Sequence, residues 1–113
     1  MHELSIALGI IDLVEAEARK NGSSRVEEVE LEIGTLAGVE IRTLEFALDS
    51  AVKGTLLQDA RIIRIYIEGS GYCNDCRVSF PVSTLFSPCP DCGSYCVKIV
   101  KGKELRVKSI VIS

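Results

Sequence analysis

Two short stretches carry the residues able to do chemistry. In the first, Cys73-Asn74-Asp75-Cys76 and Cys89-Pro90-Asp91-Cys92 are separated by twelve residues. A Cys-x-x-Cys pair puts two thiolates on one tight turn. Two such turns facing each other offer four sulfurs in the tetrahedron that Zn²⁺ accepts. Gly93 follows the second pair as a residue free to take positive φ at the turn's end. Cys73, Cys76, Cys89 and Cys92 would fill every position of such a site, leaving none for water or substrate, so the predicted role is structural. The stretch from Gly71 to Val100, about 30 residues, is too short to hold a core without a staple. A thioredoxin-like reading is weaker, because neither pair opens a helix inside a βαβ unit. Cys96, the fifth cysteine, reads as a spectator thiol.

The second stretch is Met1-His2-Glu3. A lone histidine in second place is often merely solvated, but its chelate geometry is notable. The Met1 amine, the His2 backbone nitrogen and His2 Nδ1 can share one metal through adjacent rings, and the Glu3 backbone nitrogen can close a square. Nitrogen donors in a plane suit Ni(II) or Cu(II). The amide nitrogens must lose their protons to bind in this way, so affinity falls as pH falls. Glu40 is a further acidic candidate, although a carboxylate at a helix start is already favoured by the helix dipole.

The elements that must position these residues follow from periodicity. Leu4, Ala7, Leu8, Ile11, Val14 and Ala18 recur at helical spacing, and Lys20-Asn21-Gly22 is a stop signal. Val29, Leu31 and Ile33 alternate with Glu28, Glu30 and Glu32, which predicts a strand with the glutamates on its wet side. A second helix is predicted from about residue 39 to 53, and a second strand over 61–68. Gly69-Ser70-Gly71 and Gly102 read as glycine linkers. Tyr95 and Val97 are predicted to face a core from a strand leaving the second cysteine pair. A last strand begins near Glu104 and changes parity near Ser109. The order is helix, strand, helix, strand, cysteine-rich insert, strand. This predicts an α+β fold, a three-stranded sheet with two helices on one face plus an inserted zinc-ribbon-like module. The expected domains are 1–70 with 101–113, and 71–100.

The chain has 113 residues, 47% of them hydrophobic, with a net charge of −3. The charge has the wrong sign for a general nucleic-acid binder. No apolar run reaches the roughly 18 residues that span a membrane, and no secretory signal is visible, so a cytoplasmic protein is expected. Paired cysteines in that setting mean metal rather than disulfides.

Met1-His2-Glu3 ahead of an amphipathic helix, Glu32-Ile33-Gly34, the two cysteine pairs and the closing Glu104-Leu105-Arg106-Val107-Lys108-Ser109-Ile110 together resemble the HypA/HybF nickel-incorporation proteins. The resemblance covers the whole chain. It implies a nickel metallochaperone for maturation of [NiFe]-hydrogenase, working with a HypB-type GTPase and delivering Ni(II) to the hydrogenase large-subunit precursor, with urease a second target in some organisms. It maps the nickel site onto Met1, His2 and Glu3, adds Glu40 as an acidic residue linked to nickel in relatives, and maps zinc onto Cys73, Cys76, Cys89 and Cys92. Val111 departs from the acidic residue that relatives often carry there.

The expectation is therefore a non-enzymatic nickel carrier with a structural zinc site. The alternative is a zinc-ribbon adaptor or nucleic-acid-binding module. Between Tyr72 and Val100, however, Arg77 and Lys98 only balance Asp75 and Asp91, and four thiolates on Zn²⁺ add two negative charges. A thiol oxidoreductase or zinc hydrolase lacks a histidine near the cysteines. An exposed strand edge leaves self-association open.

Overall fold

The structure, a computed structural model, describes residues 2–113. Its elements run α1 (His2–Lys20), β1 (Val26–Gly34), α2 (Ile41–Ala51), β2 (Arg61–Ile67), β3 (Ser70–Cys73), β4 (Ser79–Pro81), β5 (Val97–Lys101) and β6 (Leu105–Ile112). One three-stranded sheet has the order β2-β1-β6 and a second has the order β4-β3-β5. This is the α+β fold anticipated from the alternation pattern, with two more short strands, β3 and β4, than the sequence suggested.

The chain divides into two compact units. The first contains the stretch ending at Leu31, Val39–Arg64 and Arg106–Ser113. Helix α1 buries Ala7, Ile11, Val14 and Ala18 in a stripe of helical spacing. It packs on α2, which buries Leu44, Ala47 and Leu48. Val26, Val29 and Leu57 complete a core on which Val107, Ile110 and Ile112 also rest. Those three strand positions include the parity change, since Val107 and Ile110 cannot share a face under strict alternation. At the end of α1, Ser23 N–H donates to the Ala18 carbonyl and Gly22 N–H to that of Arg19, the paired bonds of a Schellman stop. Helix α2 begins two residues later than periodicity suggested because Glu40 is its N-cap. Glu40 Oε1 accepts the N–H groups of Arg42 and Thr43 at 3.0 and 3.4 Å.

The second unit contains Glu32–Gly38 and Ile65–Leu105. Its core is Leu36, Cys73, Phe80, Val82 and Cys89, with Val78, Val97 and Ile99 packed against it. Strand β3 pairs antiparallel with both neighbours, so that Gly71 lies opposite Phe80 on one side and Ile99 on the other. Three sequence expectations are corrected here. Glu32 is buried, because the last residues of β1 (Glu32, Ile33 and Gly34) are all covered and the wet face ends before them. Tyr95 is 75% exposed, because it precedes β5 and alternation does not govern it. The glycines read as linkers are instead points of close approach. A Cβ on Gly69 would lie 2.2 Å from the Val82 carbonyl oxygen, and one on Gly102 would lie 2.6 Å from Gly69 Cα. Gly69 N–H donates to Thr35 Oγ1 at 3.1 Å and its carbonyl accepts from Val82 N–H at 3.0 Å. Gly102 uses its carbonyl to accept from Leu36 N–H at 2.7 Å.

Two alanine substitutions should therefore act in opposite directions. Gly9 lies inside α1 with open space where a Cβ would stand, so Gly9→Ala should stabilise the protein by about 0.5–1 kcal/mol. Gly69→Ala forces a clash with backbone and should destabilise it by about 1–3 kcal/mol. Urea unfolding followed by circular dichroism measures both signs.

Candidate metal centre

Each cysteine pair sits on a turn closed by the same backbone bond. Arg77 N–H donates to the Cys73 carbonyl at 2.9 Å, and Gly93 N–H donates to the Cys89 carbonyl at 2.8 Å. Both closing residues take the left-handed conformation, Gly93 at φ 74° and Arg77 at φ 59°. Glycine enters it freely, whereas arginine pays in crowding between Cβ and its own backbone. The Gly93 signal was visible in the sequence; the matching duty of Arg77 was not, because nothing in its residue type points to positive φ.

The turns bring all four sulfurs within 4.8 Å of one another. Cys73 Sγ lies 3.6 Å from Cys92 Sγ, and Cys76 Sγ lies 3.5 Å from Cys89 Sγ. A zinc ion about 2.3 Å from each sulfur would space them about 3.8 Å apart, so the set fits a tetrahedral thiolate site. Cys73 and Cys89 are buried, while Cys76 and Cys92 face solvent. Among the described residues this is the one group of three or more His, Cys, Asp and Glu side chains that can hold a metal ion together. Cys96 is exposed and is not part of the group.

The cluster cannot spread negative charge evenly by itself. The Cys76 N–H points at Cys73 Sγ and lowers that thiol to about 7. The Cys89 thiol beside Cys76, with burial, pushes Cys76 up to about 12. The Ser94 N–H favours a Cys92 thiolate, but burial and the neighbouring Cys73 raise it overall. A divalent cation removes this conflict by stabilising all four thiolates at once.

The second site lies at the start of α1. Met1 is outside the described residues. His2 is the first helical residue and is exposed. Glu3 is buried, and its Oε2 accepts the Glu40 N–H at 3.0 Å. His2 Nε2 lies 3.7 Å from that same oxygen. The structure thus brings His2, Glu3 and the backbone of Glu40 together. The Glu40 carboxylate turns the other way, with Oε1 committed to capping α2. The N–H groups of a helix's first turn have no partners inside the helix, which leaves the His2 and Glu3 nitrogens outside its ladder. The Glu40 N–H and then Glu3's own N–H hold the Glu3 carboxyl below its usual range.

Two helices on a small sheet, with a second sheet carrying a set of four thiols that could hold a metal ion, define an α+β protein with a candidate metal centre. The family model described as hydrogenase/urease nickel incorporation, metallochaperone, hypA, matches residues 1–112. A hydrogenase maturation factor HypA of Parabacteroides distasonis is 70% identical over 112 residues, covering 99% of this chain and 97% of that protein. Its counterpart in Prosthecochloris aestuarii is 43% identical over 99% of both chains. The solution structure of the Ni metallochaperone HypA from Helicobacter pylori superposes with a TM-score of 0.68 at 28% identity, over 99% of this chain and 97% of that one. Another HypA solution structure gives a TM-score of 0.72 at 28% identity over 100% of this chain. The chain belongs to the HypA family: it is a hydrogenase maturation factor of the metallochaperone kind and not an enzyme. Among the described residues no helix is long and apolar enough to cross a membrane.

Two outcomes test this geometry. Arg77→Gly should relieve the left-handed strain and raise the thermal midpoint of the metal-loaded protein, whereas Gly93→Ala should lower it; calorimetry reads both. The Glu3 carboxylate is favoured in the folded state, so its bond to Glu40 is fully present above the ordinary carboxylate range near 4.3 and is lost as pH falls through a lower midpoint. The Glu40 amide resonance, followed by NMR in an acid titration, should move with that depressed midpoint.

Proposed function

We propose that this chain carries Ni(II) at its N-terminus and holds Zn(II) structurally at Cys73, Cys76, Cys89 and Cys92. The reading is carried by one observation, the segregation of donor types. The soft sulfurs are gathered in a closed set, and the histidine stands exposed at the opposite kind of site, the free end of a helix. Thiolates select zinc and leave it no open position. The Met1 amine, the His2 and Glu3 backbone nitrogens and His2 Nδ1 would supply the planar nitrogen set that suits Ni(II). Glu40 belongs to this proposal as a further candidate ligand, with its Oε2 not used by the helix cap.

A carrier must surrender its cargo, and an exposed chelate can be attacked by incoming ligands one bond at a time. Its amide donors bind only when deprotonated, so nickel binding weakens as pH falls. The receiver in this reading is the hydrogenase large-subunit precursor in the cytoplasm, with urease as a second target. A HypB-type GTPase is the working partner. Its docking face would be the apolar surface beside His2, where Leu4 and Leu8 of α1 and Phe46 of α2 stand at least half exposed or nearly so. Large apolar side chains grouped on one surface are the usual mark of a partner site.

The deciding experiment is a nickel titration of zinc-loaded protein with its native terminus, beside His2→Ala and a form extended by a few residues ahead of Met1. The native protein should bind about one Ni(II) per chain with the absorption of a planar low-spin centre, and both variants should lose it while keeping zinc. Equal binding by all three would place nickel elsewhere. Under the same reading, Phe46→Ala should weaken GTPase binding by about tenfold or more without changing nickel stoichiometry, as measured by calorimetry.

A further inference from the structure

Ser94 makes more bonds to the cysteine turns than any element of the sequence pattern suggests. Its N–H is directed at the Cys92 sulfur. Its carbonyl accepts the Cys89 N–H at 2.8 Å. Both bonds belong to the second turn. Its hydroxyl, however, donates to Asp75 Oδ2 in the middle of the first turn, 19 residues away, and also accepts the Cys96 N–H at 3.0 Å. One further strut runs in parallel, from Asn74 N–H to the Cys96 carbonyl at 3.0 Å.

The two close sulfur contacts, Cys73 to Cys92 and Cys76 to Cys89, each join one turn to the other. The separation of the turns therefore decides whether the four sulfurs form a tetrahedron of the right size, and the bond between Ser94 and Asp75 spans that separation. It joins a hydroxyl to a carboxylate, a charge-assisted bond of the stronger kind. It also occupies the Asp75 carboxylate, whose charge would otherwise stand free beside four thiolates.

We propose that Asp75 and Ser94 are positioning residues for the metal site: a clasp that holds the two cysteine turns at ligand distance and sets how slowly the metal leaves. This rests on the reading of the four cysteines as a metal site. Groups that orient metal ligands typically change affinity by roughly tenfold to a hundredfold when removed. The clasp lies outside the ligand set, so its loss should leave the coordination intact while making release faster.

The test uses full-length protein loaded with Co(II) as a spectroscopic stand-in for zinc. The intense thiolate-to-cobalt absorption counts the ions bound by the native chain, and transfer to excess EDTA is then timed. The expected native result is one Co(II) per chain in a four-sulfur site. Ser94→Ala and Asp75→Ala should each keep that spectrum but release cobalt roughly tenfold faster. The double variant should release no faster than Ser94→Ala alone, because that variant has already removed the bond to Asp75. Ser94→Thr and Asp75→Asn keep a hydroxyl and an acceptor oxygen and should restore slow release. Asp75 is exposed, so its variants carry the test if Ser94→Ala fails to fold. Native release rates in the alanine variants, or effects that multiply in the double variant, would overturn the clasp alone. Failure of the native chain to bind cobalt through sulfur would overturn the metal site itself, and the clasp with it.

Discussion

Four thiols cannot sit within 4.8 Å of one another and all be thiolates unless something positive stands among them. The second compact unit is built on this constraint. Two of the five residues at its core are ligand candidates, Cys73 and Cys89, so its hydrophobic interior and its metal cluster are one structure. Without a cation the charge settles on Cys73, favoured by the Cys76 N–H, while the Cys76 thiol is pushed up to about 12. A folded unit of this size buries too little apolar surface to hold such a cluster on its own account. A metal held there would therefore be part of the folding free energy of this unit. The crossing of Gly34, Gly69 and Gly102 serves the same end, since a Cβ on Gly34 would lie 2.0 Å from the Gly102 carbonyl oxygen and would prise apart the chain that supports β3.

The first unit meets a different demand. On the proposed nickel reading, its first helix must be stable to its first turn and yet leave that turn's nitrogens available. Glu3 reconciles the two. Its buried carboxylate accepts the Glu40 N–H, so the helix start is anchored through a side chain. Glu40 in turn caps α2 with its own carboxylate. A short chain of bonds thus runs from the first turn of α1 to the first turn of α2.

Much of this was legible in the sequence, for physical reasons that differ from place to place. The two Cys-x-x-Cys pairs declared themselves because tetrahedral thiolate coordination tolerates few other spacings. The helices and long strands followed from periods of 3.6 and 2, and the parity change in β6 showed in the pattern of Val107, Ile110 and Ile112. The glycines near residue 70 misled because glycine signals either freedom or close approach, and only the packed neighbour at Val82 decides between them. Strand β4, three residues long, has too little length to display a period. Within α1 the buried stripe runs through Ala7 and Ala18 while Leu4, Leu8 and Leu13 stand outside it, since small residues let the helix approach its neighbours closely. The positive φ of Arg77 was beyond reach because its residue type gives no sign of it, and the bond from Ser94 to Asp75 because only the tertiary fold closes it.

The two candidate sites also differ in what their donors permit afterwards. Four thiolates in a closed tetrahedron would have to be broken in sequence, so a metal held there would exchange slowly and its loss would cost the fold of the unit. A terminal chelate of amine, amide and imidazole nitrogens carries no such penalty, because the helix behind it is anchored by Glu3 and by the packing of Ala7, Ile11 and Val14. On the proposed reading, nickel held there would leave without unfolding anything. That asymmetry follows from where each donor set lies relative to a hydrophobic core, and it suits a protein that keeps one metal and passes on another.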